Sequence, residues 1–189
     1  MADFTLHTPE SAPEGSKPLL ENSLKSFGFV PNLHAVMAEA PSTLEAYQQL
    51  GGLFSRSSLN AVEQNVVWLT INVEHNCHYC VPAHTGIAHM QNVPADVIDA
   101  LREERELPDP KLEALRAFTL STLRNRGIVD EADVEAFLGA GYTRANILDV
   151  ILGISHKVLS NYVNHFADTP MDERFKQFDW TPREPVAAE

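Results

Sequence analysis

The segment Asn60 to Glu74, NAVEQNVVWLTINVE, restricts the fold more than any other stretch of the chain. Val62, Val66, Leu69 and Val73 recur at spacings of three and four, the stripe of an α-helix. Val67, Trp68 and Ile71 widen the stripe beyond one face. A helix apolar on more than one side must be covered on more than one side, so other elements have to wrap it. Asn60 supplies an N-cap, and Glu63 stands where a capping-box acid reaches back. No run alternates with the period of two that a half-buried strand requires. The expected fold is therefore all-α.

Further helices follow from the same pattern and its punctuation. Lys17 to Phe27 aligns Leu19, Leu20, Leu24 and Phe27 before Gly28. Pro31, Pro41 and Pro110 can each open a helix, because the missing N–H is harmless in a first turn. Helices are also expected from Cys80 to Gln91, from Ala95 to Arg102, from Asp130 to the GAG triplet, and from a Thr143 cap to about Phe166. The chain of 189 residues suits one domain. Residues 1–15 read as a mobile polar arm, 16–175 as the helical domain and 176–189 as a tail whose end is loose. The formal net charge of −12, with no basic run, speaks against nucleic acid as a partner. The start MADFTLHTPESAPEGSKP has neither a basic nor an apolar leader region, and no segment approaches the roughly 18 apolar residues of a membrane span. A cytoplasmic protein with no membrane partner is the expectation.

Cys77 and Cys80, the only two cysteines, stand three apart, with His84 four further on. At roughly 100° per residue, positions i, i+3 and i+7 of a helix share a face, so the three side chains can meet. Asn76 is a candidate cap that would put Cys77 at the positive end of a helix. Pro82 requires the regular helix to begin near Tyr79, or Cys77 to Val81 to form a tighter turn. Either way the sulfurs approach free backbone N–H groups, which lower a thiol pKa, and an imidazolium at His84 would lower it further. Three readings stay open on the residues alone. They are a redox dithiol, a zinc site built on C-x-x-C-x-x-x-H, and two buried thiols.

The segment Glu74-His75-Asn76-Cys77-His78-Tyr79-Cys80-Val81-Pro82-Ala83-His84 resembles the ENGCxYCxxAH signature of AhpD-like alkylhydroperoxidases, within the carboxymuconolactone decarboxylase superfamily. Gly28 to Asn32 (GFVPN) is similar to the GxVPN entry of the peroxidase-related branch. Ala40-Pro41 with Leu44, Ala46 and Tyr47 is similar to its sPxxLxAY helix. Asn161 to Asn164 followed by Thr169 to Asp172 is similar to its NyxN…TPxD end. The likeness spans about residues 25–175.

The resemblance implies an AhpD-like helical bundle, an obligate homo-oligomer, and antioxidant hydroperoxide reduction through a dithiol/disulfide cycle with an external dithiol as electron donor and no cofactor. It makes Cys80 the attacking thiol, Cys77 the resolving thiol and His84 a proton relay. One position departs from the pattern. The family's relay glutamate, 12 residues before the first cysteine, is Asn65 here, and asparagine cannot shuttle a proton at ordinary pH. Glu74 is the nearest substitute, since Glu63 points about 200° from Asn65 on the same helix. The rival readings are a carboxymuconolactone-decarboxylase-like lyase or isomerase that does not use the cysteines, and a non-enzymatic redox sensor. Trp68, His156 and Asn161 read as core or interface residues before they read as ligand contacts.

Overall fold

The computed structural model describes residues 3–182, so the loose end expected of the tail lies outside it from residue 183 on. Among the described residues there is no strand. In chain order the helices are α1 (Lys17–Phe27), α2 (Asn32–Met37), α3 (Pro41–Phe54), α4 (Ala61–Glu74), α5 (Cys80–Met90), α6 (Ala95–Arg102), α7 (Pro110–Arg124), α8 (Glu131–Gly139) and α9 (Arg144–Ala167), followed by a 3₁₀ turn at Glu173–Phe178.

Helix α4 is the axis of the fold. Its capping box forms as the sequence predicts: Asn60 accepts from the Glu63 N–H, and Glu63 accepts from the Asn60 N–H. From Glu63 to Val73 every residue is buried. Helices α5, α6, α7 and α9 cover its sides. Gly153 of α9 lies where an added Cβ would stand 2.8 Å from both Phe54 of α3 and Val67 of α4. The missing side chain lets α9 cross these two helices closely, and one turn later α9 delivers Lys157 to the interior.

Apolar packing divides into two clusters. One joins α4 to α6, α7 and α8 through residues such as Leu69, Ile98, Leu115 and Phe137. The other joins α1, α2 and α3 to the start of α5 through Leu20, Leu33, Met37 and Leu44, and it contains both cysteines. A clasp between distant segments closes this second cluster. The Asp172 carboxylate accepts from the Asn32 N–H at 3.1 Å and from the Tyr79 hydroxyl, and the Asn32 side chain donates to the Pro170 carbonyl at 2.9 Å. The Tyr79 oxygen in turn accepts from the Leu33 N–H at 3.2 Å. Residues 3–15, expected as a mobile arm, contain no helix but are fastened to α2. The His7 N–H donates to the Ala35 carbonyl at 3.3 Å, and Ala12 is buried.

Candidate active site

The two cysteines occupy the turn from α4 into α5. Asn76, expected as the cap of the helix that follows, instead ends the helix that precedes. It adopts a left-handed conformation at φ 51. The Cys77 N–H bonds the Asn72 carbonyl and the Asn76 N–H bonds the Val73 carbonyl, which is the Schellman closure of α4. Cys77 itself takes over the capping role, with its Sγ accepting from the Cys80 N–H at 3.3 Å. Helix α5 then starts at Cys80, which leaves Pro82 in the first turn, where it costs no hydrogen bond.

Both thiols are free and buried, and they differ in environment. Cys80 lines a cleft of about 920 Å³, whereas Cys77 lies behind it. Burial pushes the Cys80 thiol up. A hydrogen bond from Cys77, the Lys157 charge and the Asn161 and Asn164 amides outweigh burial and bring it down to about 6. The Asn164 side-chain N–H donates to the Cys80 Sγ at 3.1 Å. Cys77 moves the opposite way, raised first by its hydrogen bond to Cys80 and then by burial. The turn therefore holds one thiolate and one thiol, the asymmetry that thiol–disulfide chemistry needs.

The cation is Lys157, and its side chain has 0% exposure. Its Nζ donates to His84 Nε2 at 2.8 Å. No carboxylate pairs with it among the described residues, and the groups that favour its charge are Cys80 and Cys77. A buried ammonium needs an anion, and here the thiolate is the one within reach. His84, expected as an imidazolium beside the sulfurs, is neutral instead. Burial, then the charge of Lys157, holds it well below its ordinary value. Its ring faces Lys157 and the cleft, and no hydrogen bond joins it to either sulfur among the described residues.

Glu74, expected as the substitute relay, is held elsewhere. Its two oxygens accept from Arg124 Nε and Nη2, each at 2.7 Å, and it lines a separate small pocket with Arg116 and Arg124. Asn65, at the relay position, donates to the Ala61 carbonyl at 2.8 Å and to the Gln91 side chain at 2.6 Å. The structure thus brings Cys77, Cys80 and, through Lys157, His84 together, and leaves Glu74 apart. For the zinc reading, no group of three His, Cys, Asp or Glu side chains that could hold a metal comes together among the described residues.

The carboxymuconolactone decarboxylase family model matches residues 41–120, a span that contains Cys77, Cys80 and His84. A peroxidase-related protein of Ralstonia eutropha JMP134, described as an alkylhydroperoxidase AhpD core, superposes with a TM-score of 0.80 at 21% identity, covering 91% of this chain and 93% of its own. Residues 41–120 thus match the carboxymuconolactone decarboxylase family, and the fold of the chain is AhpD-like. A peroxidase-related protein of Silicibacter sp. TM1040 shares the fold at a TM-score of 0.77 and 18% identity, over 92% of both chains. So does the debrominase Bmp8 bound to 2,3,4-tribromopyrrole, at 0.76 and 14%, over 94% of this chain and 95% of that one. No curated protein matches the sequence.

Within this AhpD-like fold, the sequence pattern did not single out Lys157 or Asn164 as site residues. A signal was present. Val150, Gly153, Lys157, Ser160, Asn161 and Asn164 share the buried face of α9, and a lysine on such a face requires a partner. The paired Asn161 and Asn164 are the asparagines of the quoted NYVN segment. Asn161 donates to the Asn72 side chain at 3.0 Å and accepts from His75 Nδ1 at 2.9 Å, while Asn164 holds the sulfur. His156 and Trp68, read as core, line the cleft as well.

Proposed function

We propose that this protein is a thiol-dependent reductase of organic hydroperoxides that works through the Cys77/Cys80 pair. The observation that carries the reading is Lys157, a fully buried cation without a carboxylate, set against a thiol that lines an open cleft. The Cys80 thiolate attacks the distal peroxide oxygen. An S–O bond forms, the O–O bond breaks, and the alcohol leaves after taking a proton. The Cys77 thiol then displaces water from the Cys80 sulfenic acid and closes a disulfide, which an external dithiol reduces while becoming a disulfide itself. His84 carries the proton through Lys157, and Glu74 has no part in the cycle.

The cleft supports an organic substrate. Phe27, Phe29, Tyr47, Trp68, Phe175 and Phe178 give it an aromatic wall, and no Asp or Glu lines it among the described residues. An apolar, uncharged or anionic molecule suits that lining in a chain of net charge −12. Exposed Leu148, Ile151, Tyr162 and Phe166 along α9 favour self-association into a homo-oligomer.

The test is consumption of cumene hydroperoxide with several dithiol donors by the wild type, Cys77→Ser and Cys80→Ser. The wild type should turn over repeatedly, Cys77→Ser should stop after one equivalent, and Cys80→Ser should be inactive. Equal consumption by wild type and Cys80→Ser would refute the reading.

A second reading is favoured by the debrominase likeness. The same dithiol would supply two electrons to cleave a carbon–halogen bond of a halogenated ring. The ring carbon would gain a proton, and halide and disulfide would form. Halide release from 2,3,4-tribromopyrrole separates the two.

A further inference from the structure

Three polar atoms, on residues that line the same cleft as Cys80, lack partners among the described residues. Trp68 Nε1, His84 Nδ1 and His156 Nδ1 are all sealed from solvent without a hydrogen bond. Their residues are 6%, 5% and 5% exposed, and all three line the cleft that Cys80 lines. Their rings are neighbours: the Trp68 centroid lies 5.1 Å from that of His84 and 5.9 Å from that of His156. Tyr47 stacks on the far ring at 4.5 Å and fixes its plane.

What these atoms can do is constrained. An indole N–H only donates. His84 Nε2 accepts from Lys157, so the neutral ring carries its hydrogen on Nδ1 and donates from there. His156 Nδ1 can do likewise. Native interiors rarely leave buried donors unmatched, and three on neighbouring rings that line one cleft call for an acceptor from outside the chain.

We propose that Trp68, His84 and His156 form a cradle for the group expelled when the Cys80 thiolate attacks its substrate. The inference rests on the hydroperoxide reading and deepens it. As the S–O bond forms and the O–O bond breaks, negative charge builds on the departing alkoxide oxygen. Donors fixed in advance at that position act on the transition state and leave the ground state alone. His84 Nδ1 gives its hydrogen to the alkoxide, and Lys157 replaces it at Nε2. The thiolate and ammonium are thereby converted to a sulfenic acid, a neutral amine and a neutral alcohol, so charge and protons balance. Trp68 and His156 hold the oxygen while the proton moves.

The test compares three electrophiles on the reduced full chain in single-turnover reactions at Cys80. Cumene hydroperoxide expels an alkoxide, iodoacetamide expels iodide, and N-ethylmaleimide expels nothing. Trp68→Phe keeps the ring and removes the N–H. It should slow the hydroperoxide reaction about 10- to 100-fold, slow iodoacetamide by less, and leave maleimide within about twofold of wild type. His156→Phe keeps the stack on Tyr47 and should repeat the pattern if Trp68→Phe does not fold. Equal slowing of all three reagents, or none, would overturn the cradle. If wild-type Cys80 takes iodoacetamide but ignores cumene hydroperoxide, the hydroperoxide reading fails, and the iodoacetamide-to-maleimide ratio alone then decides the cradle.

Discussion

Lys157 supplies a full positive charge that acts on both thiols, and its removal has a readable consequence. With the Cys80 pKa at about 6, the thiolate fraction rises as pH climbs through 6, and at pH 7 thiolate exceeds thiol by about tenfold. Alkylation of Cys80 by iodoacetamide should therefore follow a midpoint near pH 6. In Lys157→Met the uncompensated burial of the sulfur should move that midpoint upward by more than a unit, and the rate at pH 7 should fall about twofold or more. A rate-against-pH profile checks both. Glu74→Gln, by contrast, should leave the profile in place, since its carboxylate is engaged with Arg124. The sequence showed the sulfurs and His84 because spacing alone puts i, i+3 and i+7 on one face. It could not show Lys157, which is 73 residues from His84 and meets it only through the crossing of α9. It misplaced Glu74 because the Schellman turn at Asn76 redirects the chain between that carboxylate and the thiols.

Among the elements, those with strong local signals were legible. α1 and α6 begin and end at their expected residues, and the Asn60 and Thr143 caps both form closed boxes. The clasp was visible only as motif fragments, because its partners are 140 residues apart. Asp172→Asn leaves the Tyr79 hydroxyl and Asn32 N–H with a weaker acceptor, and should lower unfolding stability by about 1–3 kcal/mol in urea titration. Gly153→Ala forces a methyl into contact with Phe54 and Val67, and should cost about 1–3 kcal/mol by the same measurement. It should also raise the Cys80 midpoint, because displacing α9 carries Lys157 with it.

At the scale of the molecule, a chain of net charge −12 holds a cleft that no carboxylate lines among the described residues. The apolar row on the outside of α9, from Leu148 to Phe166, gives the oligomer reading a direct check. Leu148→Glu with Phe166→Glu should shift the sedimentation coefficient to that of a 21.0 kDa monomer while the helical circular dichroism persists. In the proposed dithiol cycle the buried lysine also sets how strongly the Cys77/Cys80 pair holds its electrons. Once Cys80 is tied to Cys77, the ammonium has lost the thiolate that balances it among the described residues, and it must shed a proton or stay buried without an anion. The reduced protein is thus the electrostatically contented one, and its midpoint potential should lie on the oxidising side for a dithiol. Such a protein takes electrons back readily from its donor, and the Lys157→Met change should turn it into a more reluctant acceptor.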